Sequence, residues 1–192
     1  MSVSDELARM GAQNDLVEWG KAFDGWAALW DACPRGDWLL AIAVRRGVSH
    51  ERIVDAAARC ARLGLEHLPE GERLPTRAIE LAEAFARGEA DDAEERVEVV
   101  RALDAAIGDA QDPVIAAAST AALAALLAIE SPSDAPLAAA AVAQAAVLDA
   151  GECAMLSALG FAQRTCADRV REAIDLAAID DAAIDDAAIP ST

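Results

Sequence analysis

The chain has 192 residues, 50 of them alanine, with no tyrosine and 4% aromatics, so its core has to come from closely approaching helices rather than large side chains. Asp and Glu number 34 against 16 Lys and Arg, a formal net charge of −18. That charge argues against nucleic acid and anionic membrane surfaces as partners and favours a basic one. Runs of Val, Ile and Thr with period-two alternation are missing, so the expected fold class is all-α, without strands.

Residues 1–13 read as a frayed start or a short helix. Asn14 or Asp15 then caps a helix carrying Leu16, Val17, Trp19, Phe23, Trp26, Leu29 and Trp30. Spacings of three and four give it an aromatic face, and the three tryptophans read as core. The stretch CPRGDWLLAIAVRR, Cys33 to Arg46, follows. Pro34 ends the preceding helix and Gly36 supplies a turn. Asp37 stands where an N-cap is wanted, and Trp38, Leu39, Leu40, Ile42 and Val44 make a largely buried helix that Gly47 stops. Arg35, Asp37 and Trp38 are candidates for a partner-binding surface.

Ser49 caps a long helix from His50 to about His67, with Ile53, Val54, Ala57, Cys60, Ala61 and Gly64 as its apolar stripe. LPEGERLP, Leu68 to Pro75, is a loop, and Thr76 to Ala86 is a helix with Ile79, Ala82, Phe85 and Ala86 inward. Glu80 and Glu83 face outward, and Gly88 closes the helix. The segment from Glu66 to Glu98 holds eleven acids and four arginines. Its densest part, Glu89, Asp91, Asp92, Glu94 and Glu95, falls at a loop and a first helical turn, where acids suit the helix dipole. A basic partner would dock there.

Val97, Val100, Leu103 and Ile107 make one stripe. Pro113 opens a helix running to about Ile129. Within it, the uncharged residues Val114 to Ile129 are too few for a membrane span. SPSDAP is a turn, and helices follow at Leu137 to Ala150 and Glu152 to about Leu176, the second with a break near Gly160. The result is an antiparallel helical bundle or short α-solenoid of about seven to eight Ala-rich helices. One domain covers residues 1–174. The acidic segment 175–192, containing LAAIDDAAIDDAAI, is a helix extension that frays into a tail.

The four cysteines, Cys33, Cys60, Cys153 and Cys166, form no C-x-x-C pair, and MSVSDELARM lacks the charged and apolar regions of a signal peptide. Reduced thiols and a cytoplasmic location are expected. His50 and His67 stand about 25 Å apart along one helix and share no metal. P-loop, GxGxxG, GxSxG and HExxH motifs are absent. Cys33, turn-exposed beside Arg35, is the one nucleophile worth considering. The residues point to no catalytic site, no metal and no cofactor.

Three blocks carry a family resemblance. The first is WAALWDACPRGDWLLAIAVRRGV with Trp19, where Cys33, Arg35, Gly36, Asp37, Trp38, Leu39 and Leu40 match. The second contains Cys60, Ala61, Arg62, Arg77, Ala78, Ile79, Glu80 and Gly88. The third is CADRVREAI, with Asp168, Val170 and Arg171. Together they resemble the immunity proteins of bacterial polymorphic toxin systems over roughly residues 19 to 174. The departures are Ala41-Ile42 in place of Trp-Leu and Phe85 in place of a tryptophan. The resemblance implies a non-catalytic protein that binds and occludes a cognate toxin domain, as a monomer or small homo-oligomer. The charge of −18 suits a basic, nuclease-type toxin. The alternative expectation is a helical scaffold or adaptor that self-associates.

Overall fold

The computed structural model describes residues 2–89 and 92–181. Among them are eleven α-helices and no strand, packed as an all-α bundle. The helices are α1 (Val3–Arg9), α2 (Asn14–Gly20), α3 (Trp26–Ala32), α4 (Gly36–Arg45), α5 (His50–Gly64), α6 (Leu74–Ala86), α7 (Ala93–Asp109), α8 (Pro113–Leu127), α9 (Ala135–Asp149), α10 (Met155–Ala173) and α11 (Leu176–Asp181). This is a few more than the expected seven or eight. None is long and apolar enough to cross a membrane.

The hub is α5, which packs against α4, α6, α8, α9 and α10. All six residues of its expected stripe are buried, and so are Ala56 and Ala58. His50 Nε2 reaches the Ala128 carbonyl at 2.8 Å, while Gly64 lies against Ala118. The two contacts set α5 and α8 antiparallel. Helices α8 and α9 form the Ala-rich half. Ala121, Ala122, Ala124 and Ala125 of α8, and Ala138, Ala139 and Ala141 of α9, are all buried. Each helix packs on several neighbours, as their nearly uniform apolarity requires.

Four local expectations change. The aromatic segment is two helices, interrupted at 21–25, where Gly25 takes an extended conformation (φ −165°) as the N-cap of α3. Gly20 ends α2 in a site where a Cβ would stand 2.7 Å from Leu7 Cδ1. Of the tryptophans, Trp30 is core, while Trp19 and Trp26 are only partly buried. Helix α10 runs unbroken through Gly160. The chain then turns at Ile174 and restarts as α11 instead of extending α10. The Arg46 guanidinium donates to the Ile179 carbonyl at 3.0 and 2.7 Å, and Ile179 is buried. Residues 182–192, with the rest of the repeated tail, lie outside the described residues.

The α3–α4 corner differs in its chemistry. Gly36 is the first residue of α4, and Asp37 follows it inside the first turn, so Asp37 is no N-cap; its carboxylate accepts from Arg35 instead. Nor does Gly36 adopt a positive φ, which Gly47 and Gly88 do. Its value is the missing side chain. A Cβ there would stand 2.6 Å from Cys166 Cβ and 2.8 Å from the Cys166 carbonyl carbon. The start of α4 thus rests directly on the backbone of α10.

Two glycine substitutions should therefore act with opposite sign. Gly36→Ala forces α4 off α10 and is expected to lower urea stability by about 2–3 kcal/mol, the upper range for overpacking. Gly108→Ala, exposed in α7 with nothing within 4 Å of the new methyl, should raise it by about 0.5–1 kcal/mol through helix propensity and chain entropy.

Candidate functional site

The sequence-selected residues fall on two separate elements. At the α3–α4 corner, Arg35 Nε and Nη2 donate to Asp37 at 3.1 and 2.5 Å, and the guanidinium lies 4.3 Å over the Trp38 ring. The Asp37 hydrogen bond is the main reason the Arg35 pKa rises. Trp38 is 8% exposed and packs on Trp19 at 5.7 Å between centroids. Its indole N–H is enclosed, with no hydrogen-bond partner among the described residues. Arg171 reaches into the same corner from α10. It donates to the Trp30 carbonyl at 3.1 and 2.9 Å and also to the Cys33 carbonyl. Cys33, Gly36, Cys166 and Arg171, all four within the blocks quoted from the sequence, meet at this one joint.

Cys33 is not the exposed thiol its place before a proline suggested. It is buried, and desolvation pushes its pKa up to about 11 despite the nearby Arg171 and Arg35. Cys60 is pushed up as well, by hydrogen bonding to Cys166 and by burial. Such thiols are poor nucleophiles. His67 pairs with Asp149 at 3.1 Å and His50 carries the Ala128 contact. Among the described residues no group of His, Cys, Asp and Glu converges as a metal-ligand set.

The second element is the acidic edge of α6 and α7. Arginines hold much of it in place. Arg62 forks onto Glu83 and joins α5 to α6, and Glu83 is half-buried rather than outward. Arg77 forks onto Glu95 at 2.6 and 2.6 Å and also reaches Glu80 at 3.3 Å, joining α6 to α7. Arg87 pairs with Glu89 at 2.5 Å. These hydrogen bonds are the leading reason that the carboxyls of Glu83, Glu89 and Glu95 sit below the usual range. Asp92 caps α7, accepting from the Glu95 N–H at 3.0 Å. Glu94 and Glu98 are exposed and make no ion pair with a described residue. Asp91 lies outside the described residues.

Beside this edge runs a feature that sequence reasoning missed. Val97 is 55% exposed and Val100 only half-buried, while Val99 and Leu103 face the core. The single stripe expected is thus split between two directions. Val97 and Val100 line a groove of about 430 Å³ against Leu123, Leu126 and Leu127 of α8. The available signal was that α7 carries valines at 97, 99 and 100, too broad an arc for one buried face.

Compared with known proteins, the chain matches no family model, no curated protein and no solved structure.

Two measurements follow from this geometry. In native protein only Cys153, the exposed cysteine, should react rapidly with a thiol reagent at pH 8, and Cys153→Ser should remove that phase. All four thiols should react in urea. The second concerns Glu83. Its lowered folded pKa means the Arg62 pair stabilises above the unfolded value of about 4.3 and is lost as pH falls through the lower folded value. Glu83→Gln should cost about 0.5–1 kcal/mol at pH 7. Urea titrations at successively lower pH should show the gap from wild type narrowing below the unfolded value.

Proposed function

We propose that this chain is a non-catalytic, cytoplasmic immunity protein that neutralises a basic toxin domain by covering it. The observation that carries this reading is the acid surplus, a net −18 with its densest stretch on the α6–α7 edge. The arginine forks from Arg62 and Arg77 fix the backbone of that edge. Glu94 and Glu98 are left facing solvent from positions that do not have to be ordered on binding. Preorganised charge of this kind raises association rates and selects partners more than it adds raw affinity. A nuclease is the natural target, because carboxylates spaced along a rigid helix can occupy the sites of substrate phosphates. The motif resemblance points the same way.

A second reading is a self-associating helical scaffold, and one observation favours it. The first two turns of α10 carry large exposed apolar side chains, with Leu156 86% and Phe161 67% exposed. Exposed apolar side chains of this size commonly mark an interface.

Capture on immobilised protein from lysate of the source organism at low salt distinguishes the two. The expected result is a basic protein that elutes at high salt and is lost when Glu94→Lys and Glu98→Lys are combined, with association slowed at least about tenfold. Capture unaffected by salt and by charge reversal would overturn the inhibitor reading. A large homo-oligomer in sedimentation would favour the scaffold.

A further inference from the structure

We infer that the site closed over Arg46 binds segments of the form Asp-x-Ala-Ala-Ile, and that residues 180–184 of the tail are its second occupant. Its first occupant is the segment 175–179, seated at the start of α11. Asp175 Oδ1 accepts from the Ala178 N–H at 2.8 Å, and Asp175 Oδ2 lies 3.3 Å from the Arg52 guanidinium of α5. The Ile179 side chain is fully buried. Its carbonyl accepts both Arg46 hydrogen bonds, at 3.0 and 2.7 Å. Ala177 is exposed and Ala178 half-buried. The site therefore reads an aspartate, an isoleucine four residues later, and a main-chain carbonyl that any residue offers.

The receptor is built independently of the tail. Glu6 of α1 lies 3.5 Å from the Arg46 guanidinium, and the Trp26 ring of α3 lies 5.1 Å from it. The Trp26 indole N–H fixes Glu6 in turn, at 2.9 Å. Arg46 is thus held in place by helices distant in sequence from α11. Without an occupant it would lose two hydrogen bonds at a site where charge is costly to leave unpaired.

The tail repeats what the site reads. DLAAI at residues 175–179 is followed by DDAAI at 180–184 and again at 185–189. Aspartate, two alanines and isoleucine recur at the same spacing. The departure is Leu176, half-buried in α11, where the copies carry Asp181 and Asp186. That difference ranks the first unit above the others. Pro190 follows the third unit directly and disfavours helical backbone at Ile189, whereas Ile179 is helical. The second unit is therefore the spare. Reach is no obstacle. Ile174 is buried and anchors the start of the tail. Seating Ile184 in place of Ile179 lets out five more residues from that anchor, and the entropy of loop closure grows only slowly with length. When the first unit is displaced, the second closes over Arg46.

The test uses the full chain with Ile179→Ser, Ile184→Ser and the two combined, compared by urea midpoint and by NMR of isoleucine δ1 methyls. The double variant should lose about 1 M in midpoint, and Ile179→Ser alone less than about half of that. Ile184→Ser alone should match wild type. In Ile179→Ser, the Ile184 methyl should gain the NOEs that Ile179 makes in wild type, independently of protein concentration. Ile179→Ser as destabilised as the double variant overturns the proposal, because rescue by Ile184 was expected. An undiminished double variant also overturns it, since the site would then not read isoleucine. So does Ile184→Ser as damaging as Ile179→Ser, which would give Ile184 a fixed place of its own. Rescue that fades on dilution overturns it in favour of a unit supplied by a second copy of the chain.

Discussion

Helix α4 approaches α10 so closely that the Cys166 backbone occupies the space a side chain on residue 36 would need. The rest of the bundle depends on that proximity. Alanine buries little apolar area per residue, so an alanine-rich core gains its cohesion from the number of close atom contacts, each worth only a fraction of a kcal/mol. Such contacts fall off within an ångström of separation. An interface of small residues therefore tolerates no spacer, and Gly36 is where the absence of one matters most. Displacement there would carry α4 away from α9 and α5 as well, because α4 packs on all three.

The same shortage of large side chains explains what the arginines do. No side chain caps the first turns of α2 to α6, α9 or α10. Guanidinium groups instead take up carbonyls where helices end. Arg45 donates to Met10 and Gly11, Arg46 to Ile179, and Arg171 to Trp30 and Cys33. Each cation meets the negative end of a helix and satisfies acceptors that would otherwise lack a partner. Arg46 is the most enclosed, at 7% exposure. Glu6 lies 3.5 Å away, the Trp26 ring 5.1 Å below, and the Trp26 indole N–H donates to the same Glu6 at 2.9 Å. One buried charge thereby ties α1, α3, α4 and α11 together. Hydrogen bonds to charged groups are worth about 1.5–3 kcal/mol each, and this fold places several at the ends of its helices.

This division of labour decides what was legible in the sequence. The stripe of α5 was readable residue by residue, because helical period and burial agree on a hub packed on several sides. The Ala-rich helices were readable as helices, but their boundaries gave no order of packing. Gly36 was read as a turn glycine because local sequence offers that role and cannot show which distant backbone will arrive beside it. The break at 21–25 was hidden in the same way, since the aromatic spacing from Trp19 to Trp30 suits one continuous helix. Of the residues proposed to bind a partner, Arg35, Asp37 and Trp38 are engaged with one another, and Glu83 and Glu95 with arginines of neighbouring helices. Charge pairing between helices far apart in sequence has no local signature.

The distribution of charge also separates two jobs that composition alone merges. Carboxylates forked by Arg62 and Arg77 hold α5, α6 and α7 in register. Their contribution is structural and local, since a neutralised acid projects little field. The acids without such partners, Glu94 and Glu98 among them, supply the long-range potential, and they stand on the outermost helix, where low-dielectric protein lies on one side only. That potential reaches about 8 Å at physiological ionic strength, roughly the width of one helix. It therefore acts on what lies against the outer flank of α7, where Val97 and Val100 leave apolar surface uncovered.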